Sequence, residues 1–289
     1  MPADIPGNEN TYIIDAESGT ETARLIDQDR LITKAMGGIF PEHVDLSNVQ
    51  DIVDIGCGPG GWVLDVAYVY PKINVVGIDI SQNTIQYAHA HAQVQGLDNA
   101  SFGVMDALKP LDFSDSAFDF VNARMITGFM PTTAWPSLLQ ECLRITRPGG
   151  MIRLTEPEIG MCGITNSPAC EKLNRMGTQA LKRAGHSFSP DGQHVGTTPV
   201  LRRLLYGAGY QNIHNIAYAL DFSVGTEAYE AMRQNVEVAF QLLLPFMLKW
   251  EVTTQEEFDQ LYQQMVIEML SDTFCGLWYF LSIWGKKPE

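Results

Sequence analysis

The chain predicts an α/β fold: a mostly parallel sheet of seven strands with helices on both faces. Three observations carry this. Short apolar runs alternate with helical stretches through the first half of the chain, and strict β-α alternation implies a parallel sheet wound by helices. The first run ends in Val53-Asp54-Ile55 and closes on a glycine-rich turn, Gly56-Cys57-Gly58-Pro59-Gly60-Gly61. The first three runs each have an acid at their carboxyl end, Asp54, Asp79 and Asp106, which is where ligands bind in open α/β sheets.

Taken in order, residues 1–10 read as a polar tail. Thr20 to Met36 reads as a helix, with Ala23, Ile26, Leu31 and Ala35 among its less polar positions and Gly37-Gly38 as its stop. After the glycine turn, Trp62 to Tyr70 is the next helix, and Ile73 to Ile78 the second strand, ending at Asp79. Ser81 is an N-cap for a helix that carries Ile85, Ala88 and Ala92 and ends at Gly96. Ala100 to Val104 is the third strand and Phe118 to Asn122 the fourth. Thr133 to Ile145 is a helix, and Arg147-Pro148-Gly149-Gly150 a turn into the fifth strand, Met151 to Glu156.

An insertion from Gly160 to about Gln193 holds a helix, Glu171 to Ala184, and a polar loop. Residues 197–208 form another helix, stopped by Gly209, and Ile213 to Phe222 alternates as the sixth strand. A second insertion, 225–271, has Tyr229, Met232, Val236, Phe240 and Leu243 at helical spacing, then Phe258, Leu261, Tyr262, Met265 and Met269. Thr254 and Glu257 form a capping box for the second of these helices, and Pro245 predicts a kink or break in the first. Gly276 to Ile283 is the last strand. The division expected is a tail and covering helix over 1–45, a core over 46–224 and 272–289 interrupted at about 160–193, and a helical lid over 225–271.

Composition narrows the function. With 34 acidic against 19 basic residues the net charge is −15, which disfavours nucleic acid as a partner, and no run of Lys or Arg appears. The five cysteines form no C-x-x-C pair, so no disulfide framework is expected, and reduced thiols point to a cytoplasmic protein. No apolar stretch is long enough to span a membrane, no signal peptide is visible, and no His/Cys/carboxylate spacing suggests a metal.

The glycine turn by itself is ambiguous. Gly56, Gly58 and Gly61 match the G-x-G-x-x-G pattern of dinucleotide sites. Asp54 argues against that ligand, because a carboxylate two residues before the first glycine repels a pyrophosphate. It suits a cofactor that carries an ammonium and a sulfonium. Asp79 follows Gly56 by 23 residues, about where a ribose-binding acid belongs in a nucleoside-binding α/β fold.

On these residues the chain resembles the class I S-adenosylmethionine-dependent methyltransferases, whose first motif is an acid followed by G-x-G-x-G. The resemblance covers roughly residues 48–158. It is nearest to the small-molecule branch that includes the ubiquinone/menaquinone and natural-product methyltransferases. It implies a Rossmann-like core and S-adenosyl-L-methionine as cofactor, with S-adenosyl-L-homocysteine as product. The implied cofactor site comprises Asp54 with Gly56, Gly58 and Gly60 of the turn, and Asp79 with Ile80 at the ribose. Asp106 and Ala107 are placed by it at the adenine, and Asn122 at the end of the fourth strand. In the family an N-terminal helix often folds over the cofactor, which brings Tyr12, Arg24 and Gln28 toward the site.

Transfer from a sulfonium is an in-line displacement, so a general base is optional. Glu156, Glu158, His186 and His194 are the candidates if one is used; each is also an ordinary strand-end or loop residue. The Phe, Tyr, Met and Leu of the lid suggest a small, apolar acceptor, methylated on oxygen or carbon, and are compatible with a homodimer. Two other readings stay open: a cofactor-binding regulatory protein of the same fold without catalysis, and a methyltransferase acting on a macromolecule.

Overall fold

The computed structural model describes residues 11–42, 45–158, 160 and 162–289. The tail expected over 1–10 lies outside the described residues. Helix α1 (Gly19–Met36) comes first, with Ser18 accepting from the Glu21 N–H and Gly37 closing it in the left-handed conformation at φ 87°. The buried face of α1 differs from the expected one. It consists of Glu21, Arg24, Gln28, Ile32 and Met36, so three polar side chains face inward. They are paired there, which offsets the cost of removing them from water.

The core then alternates. Strand β1 (Asp51–Ile55) leads to helix α2 (Gly61–Val69), and β2 (Asn74–Asp79) to α3 (Gln82–Gln95). Strand β3 (Ala100–Val104) precedes β4 (Phe118–Arg124), helix α4 (Trp135–Ile145) and β5 (Thr146–Pro157). The Arg147 to Gly150 segment, read as a turn, lies within β5, and its irregularity survives as a register shift against β4 between Phe118 and Phe120. The first insertion carries a two-residue strand β6 (Ile164–Thr165) and helix α5 (Pro168–Arg183), capped by Ser167. Helix α6 (Leu201–Ala208) and strand β7 (Gln211–Asp221) follow. The second insertion consists of α7 (Tyr229–Lys249) and α8 (Gln255–Met269), and β8 (Gly276–Lys286) ends the chain.

Strands β1 to β5 are parallel in the order β3-β2-β1-β4-β5. Strand β8 runs antiparallel beside β5 and also pairs antiparallel with β7. Both β6 and β7 pair with Leu277, so the short β6 lies on the β5 side of β8 and adds an eighth strand to the seven expected.

Alternate residues of the strands serve opposite faces. Ile52, Val75 and Phe120 pack with α2 and α3, while Val53, Ile55, Val121 and Ile152 pack with α4 and α6. This two-sided burial explains why the strands read as continuous apolar runs. A third cluster joins α1, α5, α7 and α8 to Trp278 and Phe280 of β8.

Helix α7 runs through Pro245 without a break. A proline forfeits one N–H bond, and here the helix is long and packs Phe240, Leu243 and Met247 into the third cluster on both sides of it. Thr254 accepts from the Glu257 N–H at the start of α8, at 3.2 Å. Among the described residues no helix is long and apolar enough to cross a membrane.

Candidate cofactor site

The site forms at the carboxyl ends of β1 and β2, where the glycine turn bends the chain into α2. Gly56, Gly58 and Gly60 all take positive φ, at 68°, 53° and 81°. A side chain is disfavoured at each on backbone grounds. Space adds to this at two of them: a Cβ on Gly60 would lie 2.6 Å from the Phe102 ring, and one on Gly56 3.0 Å from Phe129.

Asp79 organises the turn. Its carboxylate accepts from the Gly58 N–H at 2.9 Å and from the Ser81 N–H at 3.0 Å. Burial raises its pKa from the usual carboxylate range, and these backbone donors work against the rise. Asp54 is 3% exposed and accepts from Asn122 Nδ2 at 2.7 Å. Burial pushes its carboxyl up to about 6, with Arg124 and the Asn122 bond pulling the other way. Asp106 accepts from the Leu108 N–H at 2.9 Å and meets Lys109 Nζ at 3.1 Å.

One pocket gathers these groups. Asp54, Gly56 and Gly58 line it with Asp79, Ile80, Asp106, Ala107 and Tyr12. Gln28 lines it too, while Arg24 lies outside its lining. Gly60 and Asn122 also stand outside the lining. Gly60 shapes the start of α2 against Phe102, and Asn122 is fully buried behind Asp54.

None of the four candidate bases lines the pocket; Glu156 and His186 pack against the turn after β4, behind it. Glu156 is fully buried and accepts from the Ile126 N–H at 2.9 Å, the Thr127 N–H at 3.2 Å and Thr127 Oγ1 at 2.7 Å. It therefore holds the turn after β4, whose next residue, Phe129, lines the pocket. Burial pushes Glu156 up to about 7. His186 is buried with Nδ1 3.3 Å from the Thr127 carbonyl, and burial lowers its pKa. His194 lies at the surface with Nδ1 3.4 Å from Glu158. Glu158 in turn accepts from the Gly196 and Thr198 N–H groups.

Several lining residues were not read from the sequence. Helix α1 contributes Glu21, Leu25, Asp29 and Ile32, and the end of β4 contributes Arg124 and Met125. Arg124 and Asp29 form an ion pair, and Arg124 Nη1 donates to Thr33 at 3.1 Å. Met125 takes φ 61° without being glycine. Such a conformation persists only where the surroundings impose it, and no glycine marks it in the sequence. The place of Arg124 at a strand end was the one available signal. The lid methionines and aromatics do not line the pocket; Met232, Val236, Phe240, Met265 and Met269 are buried in the third cluster. These five side chains are therefore not available to a dimer surface, while Ile267 and Leu270 of the lid are exposed.

The residues fit an S-adenosyl nucleoside. Carboxylates suit an ammonium and a pair of ribose hydroxyls, and the glycine turn lets backbone approach closely.

A family model described as "Methyltransferase domain" matches residues 47–189. "Methyltransferase str2" from Strobilurus tenacellus is 24% identical over 192 residues, covering 66% of this chain and 64% of that protein. Nocamycin O-methyltransferase from Saccharothrix syringae is 35% identical over 108 residues, covering 37% of this chain and 38% of its own length. The chain thus spans less than two thirds of the length of either relative. In fold, it is similar to phosphoethanolamine N-methyltransferase 2 of Haemonchus contortus solved with S-adenosyl-L-methionine. The TM-score is 0.55 at 18% identity, over 94% of this chain and 57% of that one. With its acid, its glycine turn and its matched residues, the chain carries over 47–189 a methyltransferase domain of the class I S-adenosylmethionine-dependent kind.

Proposed function

We propose that the protein moves the methyl group of S-adenosylmethionine to a small, largely apolar acceptor, on oxygen or carbon. The observation that carries this is a single pocket with two kinds of wall. Asp54, Asp79 and Asp106 line it together with the glycine turn, and Ala16, Leu25, Ile32, Met125 and Phe129 line it with apolar surface. Pockets of this make-up bind mostly apolar ligands that a few polar groups orient.

The cofactor supplies an electrophilic methyl group on a sulfonium. The chain supplies placement. Asp54 binds the ammonium, Asp79 the ribose hydroxyls and Asp106 the adenine amine. Helix α1 closes over the pocket and excludes water, and Gln28, whose oxygen accepts from Arg24, offers its amide N–H toward the acceptor, while the Tyr12 hydroxyl donates to Glu21. The α1 carboxylates are committed: Glu21 is paired with Arg24 at 2.7 Å, and Asp29 with Arg124. Glu156 is committed to backbone N–H groups. Acceleration then comes from holding nucleophile and methyl carbon in line, which can supply much of the barrier reduction without a dedicated base.

The test is transfer of labelled methyl from S-adenosylmethionine into a panel of phenols, enols and hydroxylated isoprenoids. Label in an organic-extractable product supports the proposal. Label confined to protein or RNA, or none at all from protein that binds the cofactor, overturns it.

A further inference from the structure

A second buried charge stands in a row with Asp54. The sheet register pairs Asp54 of β1 with Asn122 of β4, and Asn122 with Arg153 of β5. All three side chains are buried. Arg153 Nε donates to Asn122 Oδ1 at 2.8 Å, and Asn122 Nδ2 donates to Asp54 Oδ1 at 2.7 Å. On its other side Arg153 Nη1 donates to the Ile39 carbonyl at 2.8 Å and to Glu42 at 3.1 Å. The rings of Trp62, Phe40 and Phe120 surround the guanidinium at 5.1, 5.3 and 5.6 Å.

A buried ion pair is weak evidence for stability, and an apolar side chain among three rings would fill this space without the desolvation cost. The row has a different logic. Arginine has only donors, so the Asn122 amide must turn its oxygen to Arg153. Its NH2 then faces Asp54, which must present an acceptor. A protonated Asp54 can meet that demand only through its unprotonated oxygen; a carboxylate meets it with either oxygen and more strongly, because the bond is then charge-assisted.

We propose that Arg153 is a positioning residue for the cofactor pocket: through Asn122 it holds Asp54 as a carboxylate for a cationic ligand group. This rests on the reading of the pocket as the S-adenosylmethionine site. The groups that face Asp54 are Arg124 of β4, Asp29 of α1, and Asn122 with Arg153 behind it; Arg124, Asn122 and Arg153 favour its charged form and Asp29 opposes it. Cys57 in the turn stays neutral, because burial beside Asp79 and Asp54 pushes its thiol well up.

The experiment follows the Asp54 carboxyl by carbon-13 NMR in cofactor-free protein, and measures S-adenosylmethionine affinity by calorimetry from pH 5 to 8.5. The variants are Asn122→Leu, Arg153→Met combined with Glu42→Gln, and Arg153→Lys, with thermal melting to establish that each is folded. In the first two the Asp54 inflection rises by about one unit. Affinity then equals wild type at pH 8.5 and is about tenfold weaker at pH 5. Arg153→Lys keeps a donor-only cation and leaves the inflection near that of wild type. A folded truncation with an unmoved inflection, or an affinity loss equal at every pH, overturns the proposal. So does a lysine variant shifted as far as the truncations. Should wild type bind no S-adenosylmethionine at any pH, the reading of the pocket fails, and the NMR titration still decides the role of Arg153.

Discussion

Asp79 does two jobs with one carboxylate. It fixes the Gly58 and Ser81 N–H groups, and it lines the pocket, where we propose that it binds the ribose. Replacing it with alanine removes charged hydrogen bonds to a ligand and loosens the turn that receives it. S-adenosylmethionine affinity falls about 10- to 100-fold by titration, from the 1.5–3 kcal/mol typical of a bond to a charged group. Unchanged affinity contradicts the assignment. Glu156 gives a pH signature instead. Its folded pKa, about 7, lies above the ordinary 4.5. A raised carboxyl contributes stability that is fully present below the ordinary value and is lost as pH rises through the folded one. Glu156→Gln cannot titrate, so its melting temperature relative to wild type climbs between about pH 4.5 and 7. A constant difference across that range contradicts the buried, titrating carboxyl.

The sequence exposed residues whose role is tied to the backbone. Asp54, the turn glycines, Asp79 and Asp106 stand at strand ends, and a strand end is legible from the run before it. Residues that act through side-chain partners far along the chain were opaque. Asn235 and Arg24 are 211 positions apart yet lie 2.9 Å from each other. Glu156 looked like a candidate base because its position was readable, while its three donors from residues 126 and 127 were not.

At the scale of elements, α1 is where local pattern misled. Its apolar positions suggested one buried face; a polar network decided another. Arg24 donates to Glu21, Gln28 and Asn235, and Tyr12 donates to Glu21 at 2.6 Å. The network bolts α1 to α7, so the second insertion steadies the helix that covers the pocket. Asn235→Ala leaves Arg24 with two of its partners and lowers stability by about 1–3 kcal/mol in denaturant. Arg24→Met strands a buried Glu21 and costs more, about 3–5 kcal/mol. If both variants unfold with wild type, the link between α1 and α7 does not carry this load. Helix α7 misled in the opposite sense. Pro245 signalled a break by its chemistry, but packing on either side outweighed one lost hydrogen bond.

For the molecule as a whole, period and punctuation were sufficient for the core. Seven runs became strands, because burial on both faces demands continuous apolar sequence and serine and glycine mark the helix ends. The eighth strand has two residues, too few to show a period. What periodicity could not show was which cluster each amphipathic helix would join. The lid stripe was assigned in part to the acceptor, and it closes a third apolar cluster instead. The apolar wall of the pocket comes from α1 and from the turn after β4.

The central claim is that this pocket takes an S-adenosyl nucleoside and rejects a dinucleotide. Calorimetric titration of the purified protein with S-adenosylmethionine, S-adenosylhomocysteine and NAD tests it most directly. The carboxylates at the ends of β1 and β2 predict binding of the first two and none of the third. Binding of NAD in preference, or of neither sulfur compound, would contradict the account from Asp54 onward.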